Sequence, residues 1–109
     1  MLYAGHGAAV SHRTALWLDG LYDEPVVPIH VSVPAARRVA AQPGIRVHLS
    51  RALDAGRDIT HPSATPPRIR FEVSLLDQCE IETREGVTHL VLRAIQRRLT
   101  TAHRLRRAL

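Results

Sequence analysis

"VVPIHVSVP", residues 26–34, alternates apolar and polar side chains with a period of two, and it decides the class of this chain. Val27, Ile29, Val31 and Val33 fall on one side, with Pro28, His30 and Ser32 on the other, as in a strand with one face against a core. Pro34 ends the run, and Pro28, which has no N–H to donate, points to an edge position. "GIRVHLS" (44–50) repeats the scheme, with Ile45, Val47 and Leu49 inward and Arg46, His48 and Ser50 outward. The connection between them, "AARRVAAQPG", ends in a Pro-Gly turn, and an antiparallel pair is its simplest topology. His30, Ser32, Arg46 and His48 then share a polar sheet face, expected to be open or covered by a partner.

Upstream, "AVSHRTALWL" (9–18) opens a helix. Ser11 is a good N-cap residue, and Ala15, Leu16, Leu18 and Leu21 follow until Gly20 and Pro25 break the run, which places the helix at about 12–20. Neighbouring helical side chains point about 100° apart, so His12 is not expected to face the Ser11 hydroxyl. No G-x-S-x-G pattern surrounds that serine, which reads as a cap rather than a nucleophile. Downstream, 51–67 holds Pro62, Pro66 and Pro67 and reads as an exposed loop, with a short third strand near Arg57–His61 or Arg68–Phe71. Phe71, Leu75, Leu76 and Cys79 then take up helical spacing. Thr83 caps a longer helix with apolar positions at Val87, Leu90, Val91, Ala94, Ile95 and Leu99, and Thr100 caps a last helix carrying Ala102, Leu105 and Leu109. The expected class is α+β, a small, mostly antiparallel sheet with an N-terminal helix and three C-terminal helices on one face.

Residues 1–109 suit one domain with one modest core, built from aliphatic residues because only Tyr3, Trp17, Tyr22 and Phe71 are aromatic. The single cysteine, Cys79, excludes an internal disulfide and a multi-cysteine zinc site, and it follows the apolar stripe as a buried thiol. All 15 basic residues are Arg, so mechanisms that need a lysine are excluded. No secretory signal or membrane-length apolar run is present, and a cytoplasmic setting is expected.

Charge is uneven. Residues 72–85 carry −4 and residues 86–109 carry +6, within a total of +5. Arg93, Arg97, Arg98, Arg104, Arg106 and Arg107 are therefore the candidate nucleic-acid contacts, acting through salt-dependent phosphate contacts. No aromatic residue follows Phe71 to stack on bases. His30 and His48 have no evident third ligand, so no metal is expected, and His6, His12, His61, His89 and His103 read as isolated surface residues. Asp23, Glu24, Glu80, Glu82 and Glu85 lie in turns or at a helix junction, and Asp77 reads as exposed. No cofactor and no enzymatic use are expected.

The order of "GAAVSHRTALWLDGL", "PIHVSVP", "PGIRVHLSR", "PPRIRFEVSLLDQCE" and "AIQRRLTTAHRLRRAL" resembles the middle region of actinobacterial AbiEi-like proteins. These belong to the type IV toxin–antitoxin class, and many are fused to a very-short-patch-repair-like endonuclease domain. The resemblance spans nearly the whole chain, without the winged helix and nuclease that flank it in full-length relatives. It implies a scaffold or interaction role beside a protein partner or a second copy, with DNA as an alternative partner through the C-terminal arginines.

Overall fold

The computed structural model describes residues 7–35 and 42–109 and is α+β. Its elements in chain order are β1 (Ala9–Val10), α1 (His12–Leu18), β2 (Ile29–Pro34), β3 (Ile45–Ser50), α2 (Arg51–Asp54), α3 (Phe71–Cys79), α4 (Arg84–Gln96) and α5 (Ala102–Ala108). The sheet order is β1-β2-β3, antiparallel between β1 and β2 and parallel between β2 and β3. The expected antiparallel pairing of the two alternating strands is thus corrected. Alternation fixes which side chains share a face and carries no information on strand direction. β2 is also central rather than an edge, and Pro28 does no harm because it precedes the first paired residue.

In the parallel register Val31 lies beside Val47 and Ser32 beside His48, so the two alternations stay in phase. Val31 and Val33 are fully buried with Ala8, and Ile45 and Val47 pack against them. The same phase fails at the strand ends, where Val27 is 82% and Leu49 64% exposed, and Ile29 is exposed as well. The loop between α2 and α3 contributes two single bridges, Val10 with Arg68 and Thr60 with Ile69. Both segments proposed for a third strand are therefore used, the first at Thr60 and the second at Arg68 and Ile69, and Arg51–Asp54 forms a short helix.

A second apolar cluster lies among the helices. Leu16, Leu21, Leu75, Leu90 and Ala94 are buried together, flanked by Tyr22, Phe71, Cys79, Leu99 and Leu105. Two of the helices that supply it, α1 and α4, end in the same way. Gly20, with φ 96°, follows α1, and the N–H groups of Gly20 and Leu21 bond back to Trp17 and Leu16. The motif closes with an apolar contact between Leu21 and Leu16 in the cluster. Helix α4 ends identically, with Arg98 and Leu99 bonding back to Ile95 and Ala94, but here an arginine occupies the left-handed position at φ 58°.

Two of the three expected caps change. The Thr83 side chain accepts from the Gly86 N–H as expected. Thr101 rather than Thr100 caps α5, accepting from the Arg104 N–H. Thr100 is buried and donates to Glu72 Oε2 at 2.7 Å. Ser11 holds the N-cap position of α1, but its side chain makes no capping bond. Among the described residues no helix is long and apolar enough to cross a membrane.

A side chain at a left-handed C-terminal position costs about 1 kcal/mol that glycine avoids. Arg98→Gly is therefore expected to raise the unfolding free energy by about that amount. The check is a shift of the urea midpoint at unchanged m-value.

Candidate functional site: a buried serine–histidine seam

Helix α1 meets the sheet through polar groups. The His30 N–H donates to Thr14 Oγ1 at 2.8 Å, the Ser11 N–H donates to the His30 carbonyl at 3.0 Å, and Ser32 Oγ donates to Ser11 Oγ at 2.7 Å. Ser11 Oγ also lies 2.8 Å from His12 Nδ1, which gives the serine a second side-chain hydrogen-bond partner.

The adjacent serine and histidine do face each other, against expectation, because His12 is not helical in φ. Its φ of 52° is left-handed and turns the ring back over Ser11. Histidine visits this region more readily than most residues. The cost is offset by the bond to Ser11 and by burial of the ring.

Three imidazoles then meet. The His12 ring stacks on His48, 3.7 Å away at 16°, while His30 lies edge to edge with His48, 5.1 Å between centroids, and 5.9 Å from His12. His30 Nδ1 and His48 Nε2 are 2.8 Å apart, so one is a donor and the other an acceptor, and neither ring carries a second proton there. Burial, then the neighbouring His48 and His30, lowers the His12 imidazole to about 4. Burial, followed by His48, Arg46 and Arg13, lowers His30 to about 4 as well. Burial and Arg46 lower His48.

The polar sheet face expected to be open or covered by a partner is instead covered by the chain's own α1. His30 and Ser32 are buried, His48 is half-buried and only Arg46 stays exposed. His12, expected on the surface, is buried too. His61, His89 and His103 are exposed as expected, and His6 lies outside the described residues.

The seam opens on a cleft of about 760 Å³, with His12, Ser32 and His48 on one side and Asp77, Glu80 and Ile81 on the other. Asp77, expected to be exposed, is half-buried, and burial with the nearby Glu80 raises its carboxyl to about 6. Serine, histidine and carboxylate thus share one cleft. They do not form a relay, because no hydrogen bond joins Asp77 to an imidazole among the described residues. Ser11 is 0% exposed, so no substrate atom reaches its oxygen. Face-to-face rings also turn their lone pairs into nearly parallel planes, and among the described residues no group of three ligand side chains is placed to hold a metal.

The six candidate arginines divide. Arg93 Nε donates to the Leu21 carbonyl at 2.6 Å, and Arg97 binds the Gly20 carbonyl and both oxygens of Asp23. Arg104 lies 3.6 Å from Glu72, in the acidic segment. These three tie the C-terminal helices to the rest of the fold. Arg98, Arg106 and Arg107 are exposed, and no carboxylate lies within ion-pair distance of them among the described residues.

Histidines held below 6.5 contribute stability that is full above the unfolded pKa and lost as pH falls toward about 4. Asp77, held above its ordinary range, acts in the opposite sense between about 4 and 6, as does Asp19, also raised by burial, and these are two groups against three. Stability is therefore expected to fall between pH 6.5 and 4, with a net uptake of about one to two protons on unfolding. His48→Phe should flatten that dependence and Asp77→Asn steepen it, measured by urea unfolding across the range. Comparison of the chain with protein-family models, curated proteins and solved structures gives no match.

Proposed function

We propose that the chain is a non-catalytic regulatory or interaction module, working in a reduced, cytoplasmic setting. This is the role implied by its resemblance to the middle region of AbiEi-like proteins. The closure of Ser11 carries the proposal. The oxygen that would act as nucleophile accepts from Ser32, is hydrogen-bonded to His12 and has no exposed surface. The serine, the imidazoles and Thr14 hold α1 to β2, and the cluster is cement rather than machinery. The mouth of the adjoining cleft supplies a contact surface, since Leu49 and Ile81 stay exposed on its two sides. Apolar side chains exposed together at a concave site favour a protein partner or a second copy.

Two measurements test this. A fluorophosphonate probe is expected to leave Ser11 unmodified, and stoichiometric labelling there overturns the non-catalytic assignment. A photo-crosslinking residue at position 49 is expected to give one discrete protein adduct in cells, lost in Ile81→Asp. No adduct, or an adduct indifferent to Ile81→Asp, removes the contact surface.

Arg98 favours a second role, a nucleic-acid-contacting accessory. A position where glycine is the relaxed choice carries a cation instead, beside Arg106 and Arg107 on the same end of the chain. With three of the six arginines engaged internally, the logarithm of the association constant for duplex DNA should fall with log salt at a slope of about −2.7 rather than −5.4. A filter-binding titration measures it, and no binding at low salt excludes the role.

A further inference from the structure

We propose that the cleft between the start of α1, the turn that follows it and α4 binds a small organic carboxylate, held by Arg13 and Arg93. The cleft has a volume of about 580 Å³ and is separate from the serine–histidine seam. That size is typical of small-molecule sites, as is a lining of few polar groups over an apolar wall, here Leu90 and Leu92.

The polar groups are held in place before any ligand arrives. Gln78, which is buried, donates to Glu82 Oε2 at 2.7 Å, and the same oxygen accepts from Arg13 Nη2 at 3.1 Å. Gly86, in the first turn of α4, makes room for this arrangement, because a Cβ there would meet Glu82 Oε1 at 2.8 Å. Arg13 is thereby fixed over the Tyr22 ring, 5.6 Å from its centroid. On the other wall Arg93 is anchored through Nε to the Leu21 carbonyl. Each guanidinium makes one hydrogen bond and has further N–H donors to offer. The Tyr22 oxygen is buried and has no hydrogen-bond partner, which is unusual for a buried hydroxyl.

That oxygen lies too deep to meet a ligand, but the unused donors of the two arginines line one cleft and call for a group that only accepts. A carboxylate matches, since its two oxygens offer about four acceptor sites and fit the planar fork of arginine. Glu82 pairs with Arg13, and Asp23, which Arg97 also holds, lies 3.7 Å from Arg93, so three guanidiniums face two carboxylates and leave one surplus positive charge, which suits a monoanion better than a dianion. The leucine wall suits a compact apolar body. The ligand class is therefore an aromatic or aliphatic monocarboxylate.

Benzoate is the probe, titrated into the isotopically labelled full chain and followed by NMR. Saturable shifts are expected at the Arg13 and Arg93 Nε–H groups and at the Tyr22 ring, with neutral benzamide and inorganic phosphate binding at least about tenfold more weakly. Arg93→Gln should weaken benzoate by at least about tenfold, the effect of losing one charge-assisted bond. Because Arg93 also braces the turn after α1, Arg13→Gln is the second variant. It gives up one part-exposed ion pair, so it should fold as the parent does and bind benzoate at least about tenfold more weakly. Absence of saturable shifts overturns the proposal, as does equal binding of benzamide or phosphate, or undiminished binding in folded Arg13→Gln.

Discussion

Helix α1 is joined to the sheet by hydrogen bonds and stacked imidazoles, and the remaining architecture depends on that joint. An apolar contact tolerates sliding, whereas the bonds among Ser11, Thr14, His30 and Ser32 fix the helix over β2 in one position. They are made in a buried setting, where a satisfied network is rigid and a broken one is costly. The joint also divides the apolar interior. The helical cluster around Leu16 and Leu75 and the sheet cluster around Val31 and Val33 are separate, each too small to hold a chain of this length alone. The polar seam couples them into one folding unit.

The electrostatics follow the same plan. Neutral imidazoles stack where cations repel, so the seam excludes charge from its centre and leaves Arg46 at its rim. Around the outside, the basic C-terminal helices are tethered by acids from distant segments, Asp23 to Arg97 and Glu72 to Arg104. The strong basic character of residues 86–109 is thus partly architectural. Half of the arginines that a charge count singles out serve to close the fold, and the other half are available to a partner.

Much of this was legible from residue types alone. Helix α4, its Thr83 cap and its buried Leu90 and Ala94 follow from spacing, and so does the stop of α1 at Gly20. The alternation in β2 and β3 correctly grouped Val31, Val33, Ile45 and Val47, and it also placed His30, Ser32 and His48 on one face. What covered that face was not legible, because the cover depends on the left-handed φ of His12, for which a non-glycine residue leaves no mark in sequence. Strand direction was hidden for a similar reason: the connection between β2 and β3 is long enough for either sense, and alternation is indifferent to it. The burial of Asp77 comes from the cleft it shares with α1 and the sheet, and the exchange of Thr100 for Thr101 as a cap from the bond of Thr100 to Glu72, neither of which local propensity records.

A central strand with different chemistry on its two faces has an evolutionary consequence. Insertion or loss of a single residue within Ile29–Pro34 would exchange the faces, presenting valines to the stacked rings and hydroxyls to the aliphatic cluster. Both sides oppose such a slip, so length variation is barred from this segment even where substitutions are tolerated. The proline-rich stretch before α3, paired to the sheet at single residues, is under no such constraint, and changes in chain length should accumulate there.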